Sequence, residues 1–172
     1  FVMVLSYSRR IFLRFSLNAR LDSFLRGHVE AFIAFGGVAR VILYDNLKSA
    51  VLERVGDAVR FNPALLAFAA HHCCEPRPVV IARGNEKGRV ENGVGYVKKN
   101  FLAGLELPDF AALAPAAQAW VDTVADVRDH ASTHQRPIDR FQDERDKLQR
   151  LNPNGYDLGR ISSVRATSTC RV

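Results

Sequence analysis

The order of apolar runs along this chain predicts an α/β or α+β fold, one mixed sheet flanked by crossover helices. Three observations predict it. Residues 1–5 and 11–17 are short β-rich runs joined by a polar turn. Residues 40–44 form a nearly continuous apolar run, the pattern of a strand buried on both faces. Between the strands lie segments with helical periodicity. At 172 residues, 48% hydrophobic and 24% charged, the chain has the size and composition of one globular domain plus a short tail.

The first two runs read as an antiparallel hairpin turning at Ser6, Tyr7, Ser8 and Arg9. From Leu21 to Phe35 the apolar residues Leu21, Phe24, Leu25, Val29, Phe32 and Phe35 recur at helical spacing. Asn18 and Asp22 stand near the start, and Gly36-Gly37 is a stop signal. The 40–44 run reads as a central parallel strand ending at Asp45 and Asn46. A charged hairpin or loop follows over 51–60, then a helix from Asn62 or Pro63 to about His72, and a strand at 78–82. A helix is predicted from about Lys87 to Ala103, and a long Ala-rich one over roughly 110–133 around Trp120. A charged helical piece covers 141–151, and Pro153 and Gly155 break the pattern. Residues 158–172, rich in β-branched and polar types, read as the first strands of a small β domain whose edges would be unpaired. There is no internal repeat.

The formal charge is +6, and the excess is local. Residues 76–104 hold Arg77, Arg83, Lys87, Arg89, Lys98 and Lys99 against Glu86 and Glu91, a net +4. Such a stripe suits a polyanion; a solvated basic surface explains it equally well. No apolar run approaches the ~20 residues needed to cross a bilayer, so no membrane is expected as a partner. Three cysteines, two of them adjacent at Cys73 and Cys74, make no disulfide framework, and a reducing cytoplasm is expected. The sequence opens at Phe1 inside a strand-like run, so the natural start is expected upstream.

Asp45 stands where a buried parallel strand ends, and ligands of open α/β sheets gather outside such ends. The position suits a metal ligand, although Asp-Asn is also a common turn after a strand. Val90, Val94, Val97 and Phe101 form the core stripe of the helix that carries Glu91, while Lys87, Glu91, Gly95 and Lys98 share a neighbouring face. A surface ion-pair ladder also accounts for Lys87 and Glu91. It does not account for Gly93 and Gly95, each of which costs a helix about 1 kcal/mol; close approach of a backbone or a substrate would.

His71, His72, Cys73 and Cys74 are consecutive at a helix end and cannot all converge on one tetrahedral ion. His28 reads as a satisfied, partly buried histidine. His130 and His134 read as part of an exposed polar helix face, and Trp120 as a core anchor.

Three segments carry a resemblance: residues 1–9 (FVMVLSYSR), 43–51 (LYDNLKSAV) and 84–91 (GNEKGRVE). In these motifs and their order the chain resembles insertion-sequence transposases of the IstA type, which have a retroviral-integrase-like catalytic core. The resemblance implies a ribonuclease-H-like mixed sheet flanked by helices, with an Asp, Asp, Glu triad binding two divalent ions, Mg²⁺ or Mn²⁺. Asp45 matches the second aspartate and Glu91 the glutamate. In the family the first aspartate lies on a strand ahead of the one matched by residues 1–5, and Asp22 does not match it. An incomplete metal site and an inactive fragment are therefore expected.

Two ions roughly 3.5–4 Å apart activate a water or a 3′-hydroxyl on one side of a phosphodiester and stabilise the leaving oxygen on the other. Hard carboxylate oxygens suit them. Lys48, Lys87, Arg89, Lys98 and Lys99 are the expected phosphate contacts. The resemblance further implies transposon-end and target DNA as partners, a homo-oligomer on DNA, a helper ATPase and a place at the bacterial nucleoid. The expected organisation is a catalytic core at 1–135, a helical linker at 136–156 and the beginning of a small β-barrel at 157–172. A reading of a different class remains open, a basic nucleic-acid-binding or assembly module whose carboxylates are structural.

Overall fold

Strand alternation and a tight polar turn build the first hairpin. In the computed structural model, which describes residues 1–44, 51–55, 58–79 and 93–159, β1 (Val2–Val4) pairs antiparallel with β2 (Ile11–Leu13), Met3 opposite Phe12. The turn closes through the Leu5 N–H on Arg10 O and the Arg9 N–H on Leu5 O.

Helix α1 (Leu21–Phe35) has the predicted span. Its buried face is Leu25, His28, Ala31, Phe32 and Phe35, the i, i+3, i+4, i+7 spacing of an amphipathic helix. Gly36 ends it at φ 70°, a left-handed cap that an L side chain resists. At Gly37 the reason for glycine is space: a Cβ there would meet Leu148 Cβ at 2.7 Å and Gln149 O at 2.8 Å.

Strand β3 (Val41–Tyr44) pairs in parallel with β6 (Glu75–Pro78), joined by the antiparallel hairpin of β4 (Val51–Val55) and β5 (Ala58–Phe61) and by helix α2 (Pro63–His71). Asn62 Oδ1 accepts the Ala64 N–H, and Pro63 takes the first helical position, where its missing N–H is harmless. Strand β6 begins at Glu75, three residues before the predicted 78, and residues 80–82 of that prediction lie outside the described residues. Glu75 and Val79 donate to Arg40 O and Tyr44 O, so the ladder uses alternate residues. Pro76 and Pro78 occupy the intervening positions, where no N–H is needed on this side. Among the described residues the ladders are three separate two-stranded ones, antiparallel and parallel together.

Helix α3 is described over residues 93–102; residues 93–96 are α-helical and Val97–Leu102 form a widened π-helical turn. Helix α4 (Leu113–Trp120) runs into a second π-helical turn at Val121–Ala125. The predicted 110–133 helix therefore stops early. Asp126 is drawn inward, its carbonyl accepting the Ile138 N–H, and residues 129–135 form turns in which His134 adopts φ 50°. His130 and His134 are thus turn residues, not members of a helix face. Helix α5 (Pro137–Arg145) begins four residues before the predicted 141, with Pro137 at its first turn.

Three apolar clusters make the interior. One lies between α1, β3 and α2, around Phe32, Tyr44, Leu65 and Phe68. The second joins β2 to α3 and α4 through Ile11, Val97, Phe101 and Trp120. The third sets Leu5 and Phe35 against Phe141 of α5. Beyond α5 the chain returns as an extended arm. Val38 and Gln149 exchange both backbone hydrogen bonds, Asn152 Nδ2 donates to His71 O, and Tyr156 packs edge-on against Phe68 at 5.0 Å.

Candidate nucleic-acid interface

The end of β3 and the face of α3 are the elements on which the sequence places its candidate residues. Asp45, Lys48, Lys87, Arg89 and Glu91 lie outside the described residues; Lys98 and Lys99 lie within them.

Tyr44 is the last described residue of β3. It is buried among Phe24, His28 and Phe61, and its hydroxyl has no hydrogen-bond partner among the described residues. Burial, and secondarily the nearby Cys74, pushes the phenol well above its ordinary pKa. Tyr44 therefore stays neutral and anchors the strand end in the core.

On α3, Gly93, Val97 and Phe101 are the buried positions. A Cβ on Gly93 would lie 2.8 Å from Val4 Cγ2, so α3 rests on β1 at a distance only glycine allows. Gly95 differs, since no described atom lies within 4 Å of where its Cβ would be. The widened turn beyond it is held from the side. Trp120 Nε1 donates to Asn100 Oδ1 at 2.9 Å, and the indole packs against Tyr96 and Phe101, each 5.3 Å between ring centroids. Arg128 lies 4.1 Å over the Tyr96 ring. Trp120 is thus the expected core anchor, with its polar edge satisfied. Lys98 and Lys99 stand exposed on the outer side of this turn.

His28, His72 and Cys74 serve the core. His28 is 1% exposed, its Nδ1 bonded to Phe24 O at 2.9 Å, and burial lowers its pKa to about 4. His72 packs against Phe32, Phe68 and Tyr156, with neither ring nitrogen hydrogen-bonded among the described residues; burial, then His71, lowers its pKa. Burial pushes the Cys74 thiol up to about 11. Among the described residues no group of three or more His, Cys, Asp or Glu side chains is placed to hold a metal ion. No helix among them is long and apolar enough to cross a membrane.

Sequence reasoning missed the Arg10–Asp126 ion pair and the Asn100–Trp120 bond. The partners lie 116 and 20 residues apart, and no local pattern marks either.

No family model matches the sequence. Individual proteins do. The transposase for insertion sequence element IS21 of Pseudomonas aeruginosa is 32% identical over 157 residues, which is 91% of this chain and 40% of that protein. A putative transposase for insertion sequence element IS5376 of Geobacillus stearothermophilus is 28% identical over 94% of this chain and 40% of its own length. The transposase for IS1326/IS1353 of Pseudomonas aeruginosa is 31% identical over 98% of this chain and 33% of its own length. Among solved structures, a chain in the cryoEM structure of the simian T-cell lymphotropic virus intasome in complex with PP2A regulatory subunit B56 gamma matches 99% of this chain and 53% of its own. The TM-score is 0.61 at 14% identity, a likeness of fold. Over nine-tenths of its length the chain is a relative of IS21-type insertion-sequence transposases, of ribonuclease-H-like, integrase-type fold, and it spans about two-fifths of the first two of them.

Proposed function

We propose that this chain is part of a DNA transposase core that cuts and joins DNA strands with the help of divalent metal ions. The observation that carries the reading is the 32% identity to the IS21 transposase across 91% of the chain, on a fold of the integrase type. In this reading Asp45 and Glu91 supply hard carboxylate oxygens to Mg²⁺ or Mn²⁺, a donor chemistry that fits such ions. The metal, when bound, stabilises charge on the phosphodiester and activates the attacking oxygen. Two described features support this placement. Tyr44 fixes the end of β3 immediately before Asp45 in sequence, and Gly93 seats α3 on β1 two residues after Glu91.

Lys48, Lys87, Arg89, Lys98 and Lys99 neutralise phosphates in a sequence-independent and salt-sensitive way. The proposed partners are transposon-end and target DNA, further copies of the protein on that DNA, and a helper ATPase. Residues 1–135 form the catalytic core, 136–156 the linker and 157–172 the beginning of a β-barrel domain in this proposal.

The test is a titration of Mn²⁺ followed by electron paramagnetic resonance, with the chain and its D45A and E91A variants, in parallel with DNA-binding measurements. Each variant is expected to weaken Mn²⁺ binding by about tenfold or more. Equal Mn²⁺ binding by all three proteins would remove the metal role. Full DNA binding beside unaltered metal behaviour would favour a non-catalytic binding module instead.

A further inference from the structure

His72, just past the end of α2, is buried without the polar partners that burial ordinarily demands. Four rings surround it: Phe32 of α1, Phe68 and His71 of α2, and Tyr156 of the returning arm, at 5.2, 4.5, 4.8 and 6.2 Å between centroids. Both ring nitrogens are shielded from solvent, and neither has a hydrogen-bond partner among the described residues. His28 is buried too, but its Nδ1 is bonded to Phe24 O. A neutral imidazole held like His72 forfeits the hydrogen bonds that water would give it, and a protonated one would forfeit far more.

Three of the four rings belong to helices packed in the core, and the fourth belongs to the arm. The arm meets the end of α2 through side chains. Gln149 Nε2 donates to Cys73 O and Asn152 Nδ2 to His71 O, both at 2.9 Å, and His71 Nε2 meets Asn154 O at 3.0 Å. These bonds fall on the residues either side of His72. The arm is thus the wall that can open over the imidazole while both helices stay packed. The titratable groups around the ring do not hold a proton on it: His28 and His71 repel one, and the Cys74 thiol is buried. Neighbouring carboxylates are engaged elsewhere. Glu30 of α1 is paired with Arg14 and Glu75 of β6 with Arg77, Asp22 lies in the first turn of α1, and Asp157 of the arm accepts the Gly159 N–H.

We propose that the arm from Gln149 to Tyr156 is an acid-released strap, closed over His72 at neutral pH and lifted when the imidazole takes a proton. Under the closed strap the ring stays neutral, because burial and His71 hold its pKa below the ordinary histidine value. With the strap lifted, water reaches the ring and it protonates as a free histidine does, near pH 6.5. The closed state is therefore fully favoured above that pH. Below it, acid raises the lifted population by up to about tenfold per pH unit.

Hydrogen exchange followed by NMR from pH 7.5 to 5 tests this with the full chain and its H72F, H72Q and H28Q variants, each rate corrected for the intrinsic pH dependence of exchange. The Gln149 N–H, bonded to Val38 O, reports the arm, and the Phe32 N–H within α1 reports the whole fold. In the parent, Gln149 is expected to exchange faster than Phe32 at every pH and to accelerate by up to about tenfold per unit below pH 6.5. H72F keeps a ring in the pocket with no proton to gain, so it and H72Q are expected to flatten that rise, whereas H28Q keeps it. The strap is overturned if either His72 variant retains the parent's slope or if H28Q abolishes it. It is equally overturned if Gln149 and Phe32 of the parent exchange at one rate, since the arm would then open only with the whole molecule; that comparison needs no variant to fold.

Discussion

Arg10 Nε donates to Asp126 Oδ2 at 2.7 Å, across 116 residues of sequence, and Asp126 is 1% exposed. The guanidinium also lies 4.4 Å over the Phe141 ring, so one side chain joins the end of the first hairpin, the end of α4 and helix α5. Neighbouring contacts repeat the connection. The Ser8 N–H donates to Glu144 Oε2, and Arg140 bonds Tyr7 O while stacking on its ring. Burial raises the Asp126 pKa, partly offset by Arg10.

Replacing Arg10 with methionine leaves that carboxylate buried without its direct partner. A loss of about 3 kcal/mol is expected, the low end for a broken buried pair because Arg10 itself is partly exposed. Urea denaturation at neutral pH measures it. The sign with pH is definite. A carboxyl whose folded pKa is raised takes up a proton on folding, so the R10M defect shrinks as the pH is lowered toward 5.

His28 predicts a second pH dependence. Its folded pKa is lowered to about 4, while the unfolded chain protonates near 6.5. Between those values the unfolded state binds the extra proton. The His28 contribution is fully present above pH 6.5 and is lost as the pH falls toward 4, amounting to about 3 kcal/mol. Thermal melts from pH 7.5 to 4 should show a steep fall for the parent and a shallower one for H28Q; equal slopes would remove His28 as the cause.

The contact between Gly93 and Val4 is tight enough to test by a pair of substitutions. G93A pushes a methyl against Val4 Cγ2, and the stiff β-branched side chain cannot swing away. A net loss of about 1–2 kcal/mol is expected, as for other overpacked sites. The V4A/G93A double variant should recover much of it relative to V4A alone, a coupling read directly from a double-mutant cycle.

The returning arm makes a fourth prediction. Tyr156 is half-buried against Phe68 and His71, and His71 Nε2 meets Asn154 O at 3.0 Å. Y156A is expected to lower stability by about 2 kcal/mol and to speed amide exchange at Gln149, while the exchange of α1 keeps its parent rank order. Unchanged exchange at Gln149 would show that the arm is held without Tyr156.

Most of the local architecture was legible in the sequence, and the exceptions have physical causes. Helix α1 matches residue for residue because its apolar spacing and the left-handed cap at Gly36 are both local signals. The earlier start of β6 at Glu75 is not legible locally, because prolines argue against a strand unless, like Pro76 and Pro78, they fall on the positions that need no N–H toward β3. The helical pattern over 110–133 does not reveal where the helix ends, because Arg10, which bonds Asp126 at that end, is remote in sequence. Of the candidate residues, Lys98 is exposed on α3, on the face its periodicity implies, and Lys99 is exposed beside it. What periodicity could not supply is the π-helical turn that carries them, which depends on Asn100 meeting Trp120.

The pairing of Val38 with Gln149 also bears on the order in which the molecule assembles. This pair closes a loop of more than a hundred residues, and loop closure of that length is entropically unfavourable until most of the intervening chain is already compact. The hairpin, α1 and the β3–β6 crossover can form from shorter-range contacts, with the arm added last as a seal. During synthesis on the ribosome the backbone at Val38, just ahead of β3, would then stay uncovered until Gln149 has emerged, and an unpaired edge in that interval is open to mispairing.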